Sequence, residues 1–142
     1  MREKINHRLI IGVLSRSLFI LAISFVICMA VAIIFDEPVK PFFISMAIVL
    51  ILNGLFFLLG GKINNNKPLT RHDAYLTVTS TWLSMSFVGC LPYMISGSIP
   101  DITNAFFESI SGFSTTGASI LTDIEILPKS ILFWRSLTHW IG

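Results

Sequence analysis

Three long stretches of the chain, residues 17–35, 41–61 and 74–100, contain no Asp, Glu, Lys or Arg. A helix needs about 20 mostly apolar residues to cross a hydrocarbon core of about 30 Å, so each stretch is long enough to span a membrane. Charged residues make up 13% of the chain, about half of the roughly 25% found in an average soluble domain. The sequence therefore predicts an all-α integral membrane protein that begins with a transmembrane helix pair over residues 17–61.

Other classes of protein fit the sequence less well. Ala30-Val31-Ala32 resembles a signal-peptide cleavage site, but the apolar run continues to Phe35 and exceeds the 7–15 residues of a signal h-region. Cys28 and Cys90 lie inside apolar runs, where a free thiol behaves as a small hydrophobe rather than as part of a disulfide scaffold. The net charge is only +2, and no basic stretch alternates with aromatic residues, which argues against nucleic-acid binding.

The distribution of Lys and Arg predicts how the chain is oriented in the membrane. Residues 1–16 and 62–73 contain seven of the ten Lys and Arg residues, and cytoplasmic segments are enriched in these two residue types. We therefore expect both segments to be cytoplasmic. The turn at 36–40 and the segment 97–128 are then expected on the outer side.

The third apolar segment is expected to begin near Thr70 or Arg71 and to open a unit that covers residues 74–142. Thr70-x-x-Asp73 fits a capping box, in which each of the two side chains bonds the backbone N–H of the other residue. Pro92 can be tolerated in a membrane helix, as a kink or near its end.

The segment that follows is too short to span a bilayer. A helix over 104–113, capped by Asp101 or Thr103, is about 15 Å long. It leads into a small polar stretch, 114–119, and a new apolar run begins at Ser130. Irregular backbone at membrane depth is tolerated only where it is buried in protein or lines a watery cavity. This order of elements predicts a re-entrant loop, although a Ser/Thr/Gly stretch between helices is more often a simple external loop.

The polar stretch has the chemistry that a dehydrated potassium ion requires. Such an ion needs oxygen ligands in place of its water shell, and rings of main-chain carbonyls can supply them. Gly117 can adopt unusual φ and ψ angles at little steric cost. Thr115, Thr116, Gly117 and Ala118 are therefore the candidate potassium-binding residues. The helix C-terminus near Gly112 carries partial negative charge, which favours a cation.

Glu108 has two interpretations that the sequence leaves open. It is either a charge in the pore or a structural partner of Arg135, which lies about 9 Å along the next helix. Hydroxyl groups such as that of Ser114 are expected to satisfy the outward-facing backbone groups of the loop. The residues expected to support the pore are Glu108, Gly112, Ser114 and Arg135.

Residues 105–119, AFFESISGFSTTGAS, resemble the first pore loop of the bacterial Trk/Ktr potassium-uptake family, and are most similar to the TrkH type. The flanking segments 89–93, 127–135 and 139–142 resemble the helices on either side of that loop. This resemblance implies a pore built from four helix–pore loop–helix repeats, with residues 17–61 as the extra leading helix pair. It implies that Thr115, Thr116 and Gly117 hold K⁺ through main-chain oxygens, with no covalent cofactor.

The resemblance also implies partners and a location. It places the chain as a multi-pass protein of the bacterial inner membrane that moves K⁺ passively or by symport. The family pairs with a cytosolic nucleotide-binding subunit of the TrkA type, and its pore proteins form homodimers. The chain contains one pore loop, and this predicts an N-terminal portion of a longer protein or a truncated product.

The sequence leaves alternatives to transport. One is a non-transporting membrane anchor or interaction subunit, in which residues 103–119 form only an external loop, and another is a truncated fragment without function. A membrane enzyme is the weakest alternative, because the sequence has no HExxH, nucleophile elbow, Walker loop or CxxC motif.

Overall fold

The computed structural model describes residues 7–60 and 70–142. These residues form helices and turns only, and the sequence prediction of an all-α protein is confirmed. The charges at 1–6 and 61–69, which carry much of the predicted orientation, lie outside the described residues. The helices are α1 (His7–Ile34), α2 (Lys40–Gly60), α3 (Arg71–Gly89), α4 (Leu91–Ile95), α5 (Ile102–Phe113) and α6 (Lys129–Ile141).

Three segments of the described chain are long and apolar enough to cross a membrane. They are His7–Ile34, Lys40–Leu58 and Arg71–Ile95, the last of which combines α3 and α4. The outward faces of these helices carry large apolar side chains, such as Ile51 and Leu58, which are 72% and 81% exposed. A bilayer is the solvent that makes such faces favourable. The chain is a multi-pass membrane protein.

Helix α1 begins ten residues earlier than the predicted span at 17–35. It runs from His7 to Ile34, and its 28 residues extend about 42 Å. Arg8 and Arg16 are both exposed on its first turns. A long Arg side chain can keep its charge in water while its stem covers apolar surface, so charged residues do not end this helix.

Helix α3 begins at the predicted position and ends before Pro92. The amide of Asp73 donates to Thr70 Oγ1 at 3.2 Å, and the amide of Thr70 donates to Asp73 Oδ2 at 3.4 Å, which completes the capping box. Cys90 separates α3 from the single turn of α4, where Pro92 needs no intrahelical donor. Of the two positions that the sequence left open for Pro92, the structure places it near the end of the span, just after α3.

Trp134 of α6 joins four helices in the core. Its ring centroid lies 4.7 Å from that of Phe25 in α1 and 6.3 Å from that of Phe113 in α5. Its Nε1 donates to the carbonyl of Gly89 at 3.0 Å, one of the last carbonyls of α3, which lack a partner within their own helix. A Cβ built on Gly89 would lie 2.6 Å from both Ser109 and Phe113, so α3 and α5 are in close contact there.

The turn between α1 and α2 reaches across to α6. Asp36 has a φ of 54°, which aspartate tolerates better than most residues. The Glu37 carboxylate accepts bonds from the amide of Lys129 at 2.5 Å, the amide of Ser130 at 2.8 Å and the Ser130 hydroxyl at 2.5 Å. Pro128, the N-cap residue of α6, makes no side-chain cap. A carboxylate from the first hairpin therefore caps the last helix.

Trp134→Phe is expected to lower the free energy of unfolding by about 2 kcal/mol, because it removes a buried hydrogen bond and leaves a small cavity. The matched control is Trp140→Phe on the same helix, where the ring is 88% exposed. SDS titration of the protein in mixed micelles measures both variants, and equal effects would contradict the central role of Trp134.

The cap on α6 predicts a dependence of stability on pH. Partial burial raises the pKa of Glu37, but hydrogen bonds from Ser130 and Lys129 and the charge of Lys129 lower it by more, so that it lies below its ordinary value. A lowered pKa means that the cap stabilises the fold above the ordinary carboxyl pKa, and that this contribution is lost as the pH falls through the lowered value.

We therefore expect Glu37→Gln to be about 1 kcal/mol less stable than the unmodified protein at neutral pH. The two proteins should converge in stability as the pH is lowered. Asp36→Asn, at the exposed neighbouring position, is the control for charge alone. A constant difference between Glu37→Gln and the unmodified protein at every pH would contradict the charged cap.

Candidate functional site

The short helix α5 is fixed at both ends by its own sequence. Asp101 is its N-cap, and the carboxylate accepts the amide of Asn104 at 2.9 Å, which selects Asp101 over Thr103 as the capping residue. The helix starts at Ile102, two residues before the predicted start at 104. After Phe113, the amides of Ser114, Thr115 and Thr116 donate back to the carbonyls of Ile110, Gly112 and Ser111 at 2.9, 2.9 and 3.1 Å.

After the turn at 114–115, residues 116–119 have no regular secondary structure. Thr115 has a φ of 55° and Gly117 a φ of 75°, whereas Ser114 has a φ of −82°. Gly117 therefore adopts the kind of unusual φ angle that the sequence led us to expect there. The value at Thr115 is a genuine outlier for a β-branched residue and stores local strain of about 1–3 kcal/mol.

The carbonyl groups of this segment fall into two sets. Those of Thr115, Thr116 and Gly117 accept no hydrogen bond from any residue that the structure describes, and the segment is exposed. The carbonyl of Ala118 accepts the Ser111 hydroxyl at 2.6 Å and is held toward α5. Three of the four predicted ligands therefore present unengaged oxygens, whereas Ala118 serves to attach the segment to the helix.

Glu108 links three parts of the site. Its Oε1 accepts Arg135 Nε at 2.6 Å, and its two oxygens accept the Ser119 hydroxyl at 3.0 Å each. Its Oε2 also accepts the amide of Ile120 at 3.2 Å. The Glu108 side chain is 1% exposed and that of Arg135 is 22% exposed. Of the two interpretations left open by the sequence, the structure contains the pairing with Arg135.

The other two residues expected to support the pore have different surroundings. A Cβ built on Gly112 would clash with Thr138 Oγ1, so this glycine permits the close contact between α5 and α6. Ser114 is exposed, and its hydroxyl lies 2.8 Å from that of Thr116. Gly112 therefore acts through packing, and Ser114 through a hydrogen bond inside the loop.

Sequence reasoning missed Ser111, Ser119 and Thr138 as parts of the site. Ser111 stands in the last turn of α5, where a serine commonly bonds its own helix, and nothing local connects it to Ala118. Ser119 lies eleven residues after Glu108 but beyond the end of α5 at Phe113, so the helical period does not relate the two residues. Only the excess of serine and threonine near the loop hinted that hydroxyl groups hold it.

Comparison with known proteins supplies further findings. The family model described as TrkH, cation transport protein, matches residues 38–142. An uncharacterised cation transporter of Methanocaldococcus jannaschii is 38% identical over 96 residues, which cover 65% of this chain and 20% of the relative. The Trk system potassium uptake protein TrkH of Vibrio parahaemolyticus is 30% identical over 139 residues, 96% of this chain and 28% of the relative.

A solved structure is similar as well. The crystal structure of the potassium transporter TrkH from Vibrio parahaemolyticus superposes with a TM-score of 0.86 at 28% identity, over 97% of this chain and 30% of that one. The chain thus spans between 20% and 30% of the length of these relatives.

The Glu108–Arg135 pair should show energetic coupling in a double-mutant cycle. We expect Glu108→Gln and Arg135→Gln each to destabilise the protein by about 2 kcal/mol, because each leaves a charged partner without its hydrogen bond. The double variant should lose clearly less than the sum. Glu125→Gln, on the exposed loop, controls for charge removal. Strict additivity in SDS unfolding titrations would contradict the pairing.

Proposed function

Because the chain belongs to the TrkH family of cation transport proteins, we propose that it contributes a pore loop to a potassium-transporting channel through the membrane. The proposed ligands of the ion are the main-chain oxygens of Thr115, Thr116 and Gly117. K⁺ is the transported ion rather than a resident cofactor. The relatives named above are transporters or uptake proteins, and we propose a transport role without enzymatic activity.

One observation carries the proposal: the non-helical segment after α5 has a positive φ at Thr115 and at Gly117, and the carbonyls of residues 115–117 are unengaged among the described residues. A potassium ion enters a filter only if carbonyl dipoles replace its hydration shell. A segment held in this conformation before the ion arrives saves the cost of ordering it on binding. The C-terminus of α5 directly before the segment adds partial negative charge, which also favours a cation.

Selectivity requires that the ligands stay in place, and the contacts behind the loop support this. Ser111 holds the carbonyl of Ala118, and Glu108 holds Ser119 and the amide of Ile120. The residues that directly follow the unengaged oxygens are thus attached to α5. We propose that Glu108 works as a structural carboxylate behind the filter and does not meet the ion.

For orientation we propose a cytoplasmic N-terminus, with the α1–α2 turn and the loop 114–128 on the outer side of a bacterial inner membrane. Among the described residues, Arg8, Arg16 and Arg71 lie at the end of the bundle that this assigns to the cytoplasm. Exposed Asp123 and Glu125 would raise the local cation concentration at the outer mouth, modestly at physiological salt.

The proposed pore needs further loops around the same axis, by resemblance three more repeats of one chain. A cavity of about 430 Å³ with an almost wholly apolar wall lies beside the loop, lined by residues such as Trp82, Leu83, Phe107, Ile110 and Phe113. In the proposed assembly an adjacent repeat packs there, and lipid covers the remaining apolar faces. A TrkA-type nucleotide-binding subunit and a homodimer complete the proposed complex.

Gly117→Ala tests the filter, because alanine at a left-handed φ costs about 1–2 kcal/mol. Gly97→Ala is a matched control: Gly97 has the same φ of 75°, and nothing lies within 4 Å of a Cβ built at either position. We expect Gly117→Ala to lower K⁺ uptake about tenfold or to admit Na⁺, whereas Gly97→Ala stays within about twofold of the unmodified protein.

The protein and its variants are expressed from the complete gene in cells that lack their own potassium uptake. The measurement is the uptake of K⁺ and Na⁺, normalised to the amount of the protein in the membrane. Normal uptake and selectivity in Gly117→Ala would overturn the filter assignment. Absence of transport by the unmodified protein would favour the alternative of a membrane anchor or interaction subunit.

A further inference from the structure

The contact between Glu37 and α6 joins two parts of the chain that are remote in sequence. Glu37 precedes Lys129 by 92 residues, yet its carboxylate accepts both amides and the hydroxyl at the first turn of α6. A helix N-cap is normally supplied by the residue at its own start. Here Pro128 occupies that place and makes no side-chain cap. The first turn of α6 therefore depends on the α1–α2 turn.

The turn that presents Glu37 is itself held in place. The amide of Asp36 donates to the carbonyl of Ile33 at 3.2 Å, and the amide of Glu37 donates to that of Ala32 at 2.8 Å. With Asp36 at a φ of 54°, these bonds close the C-terminus of α1. Glu37 is thus a carboxylate on a fixed support rather than on a loose loop.

From the first turn of α6, a short series of contacts leads to the candidate filter. Arg135 lies about 9 Å further along α6, and its Nε donates to Glu108. Glu108 in turn accepts the Ser119 hydroxyl and the amide of Ile120. Each contact is between polar groups with defined geometry, so a displacement of α6 along or about its axis would reach the residues that directly follow the filter.

The rest of α6 does not need Glu37 in order to stay folded against the bundle. Trp134 is fully buried against α1, α3 and α5, and Ile131 and Thr138 are buried on the same helix. Loss of the cap would therefore leave the helix docked but less exactly placed. An effect of Glu37 variants on transport would then reflect the position of α6 rather than a loss of folded structure.

We propose that Glu37 is a positioning residue for ion selection, and that the α1–α2 hairpin serves to hold α6 and the Glu108 network behind the filter. This inference rests on the function proposed above. It assigns a role to the leading helix pair, whose described residues include none of the proposed ion ligands. Glu37 acts through Lys129, Ser130 and the helix, without contact to the ion.

The test compares Glu37→Ala and Glu37→Gln with Asp36→Asn as the control. Asp36 is an exposed neighbour that carries the same charge as Glu37. All are expressed from the complete gene in cells without other potassium uptake. We expect Glu37→Ala to raise either the KM for K⁺ uptake or the inhibition of K⁺ uptake by Na⁺ about three- to tenfold. The maximal rate per membrane-inserted protein should stay within about twofold. Glu37→Gln, which keeps an acceptor oxygen, should lie between Glu37→Ala and the unmodified protein.

A milder variant guards against misfolding. Ser130→Ala removes the hydroxyl bond to Glu37 but keeps both amide bonds, and it should change KM or Na⁺ inhibition in the same direction and by less. Unchanged KM and Na⁺ inhibition in Glu37→Ala, or a fall in protein amount alone, would overturn the inference. If Gly117→Ala alters selectivity while the Glu37 variants do not, only this inference fails; if the unmodified protein moves no K⁺, both proposals fail.

Discussion

The buried carboxylate of Glu108 is the constraint on which the arrangement of the loop depends. A charge removed from water costs several kcal/mol unless it is paired and hydrogen-bonded, and Glu108 meets this requirement with Arg135, Ser119 and the amide of Ile120. Those partners come from α6 and from the chain beyond the loop. Satisfying one carboxylate on α5 therefore fixes where α6 lies and where the loop returns.

Besides the Arg135–Glu108 pair, two quite different interactions hold helix α6. Near its middle, Trp134 is held by packing against aromatic rings and by one hydrogen bond to Gly89. At its start, Glu37 provides charge-assisted hydrogen bonds, which are directional and short. Packing tolerates small shifts of a helix along its axis, whereas hydrogen bonds to the first amides do not. Packing keeps the helix attached and the hydrogen bonds fix its position, and a fixed position is what the proposed ion ligands require.

Much of the fold was predictable because the signals are local. Charge-free runs mark the spans, Thr70 and Asp73 mark the start of α3, and Asp101 marks the start of α5. The early start of α1 at His7 was missed because charge was used as a boundary, although arginine can reach water from within a helix. The contacts of Glu37 with Ser130, and of Glu108 with Ser119, were not predictable, since no periodicity relates residues that meet only through the fold.

Thr115 and Gly117 show that prediction from local sequence has the same limit for a single dihedral angle. Glycine at 117 predicts a left-handed backbone, because glycine adopts one at little steric cost. Threonine at 115 suggests the opposite, since its branched side chain disfavours a positive φ, and yet it has a φ of 55°. The amide of Thr115 donates to the Gly112 carbonyl, and the amide of Thr116 donates to the Ser111 carbonyl. On the C-terminal side, the Ala118 carbonyl accepts the Ser111 hydroxyl. The strain at Thr115 persists because both flanks are anchored to α5, and a loop anchored in this way holds the oxygens of the proposed ion ligands in one arrangement.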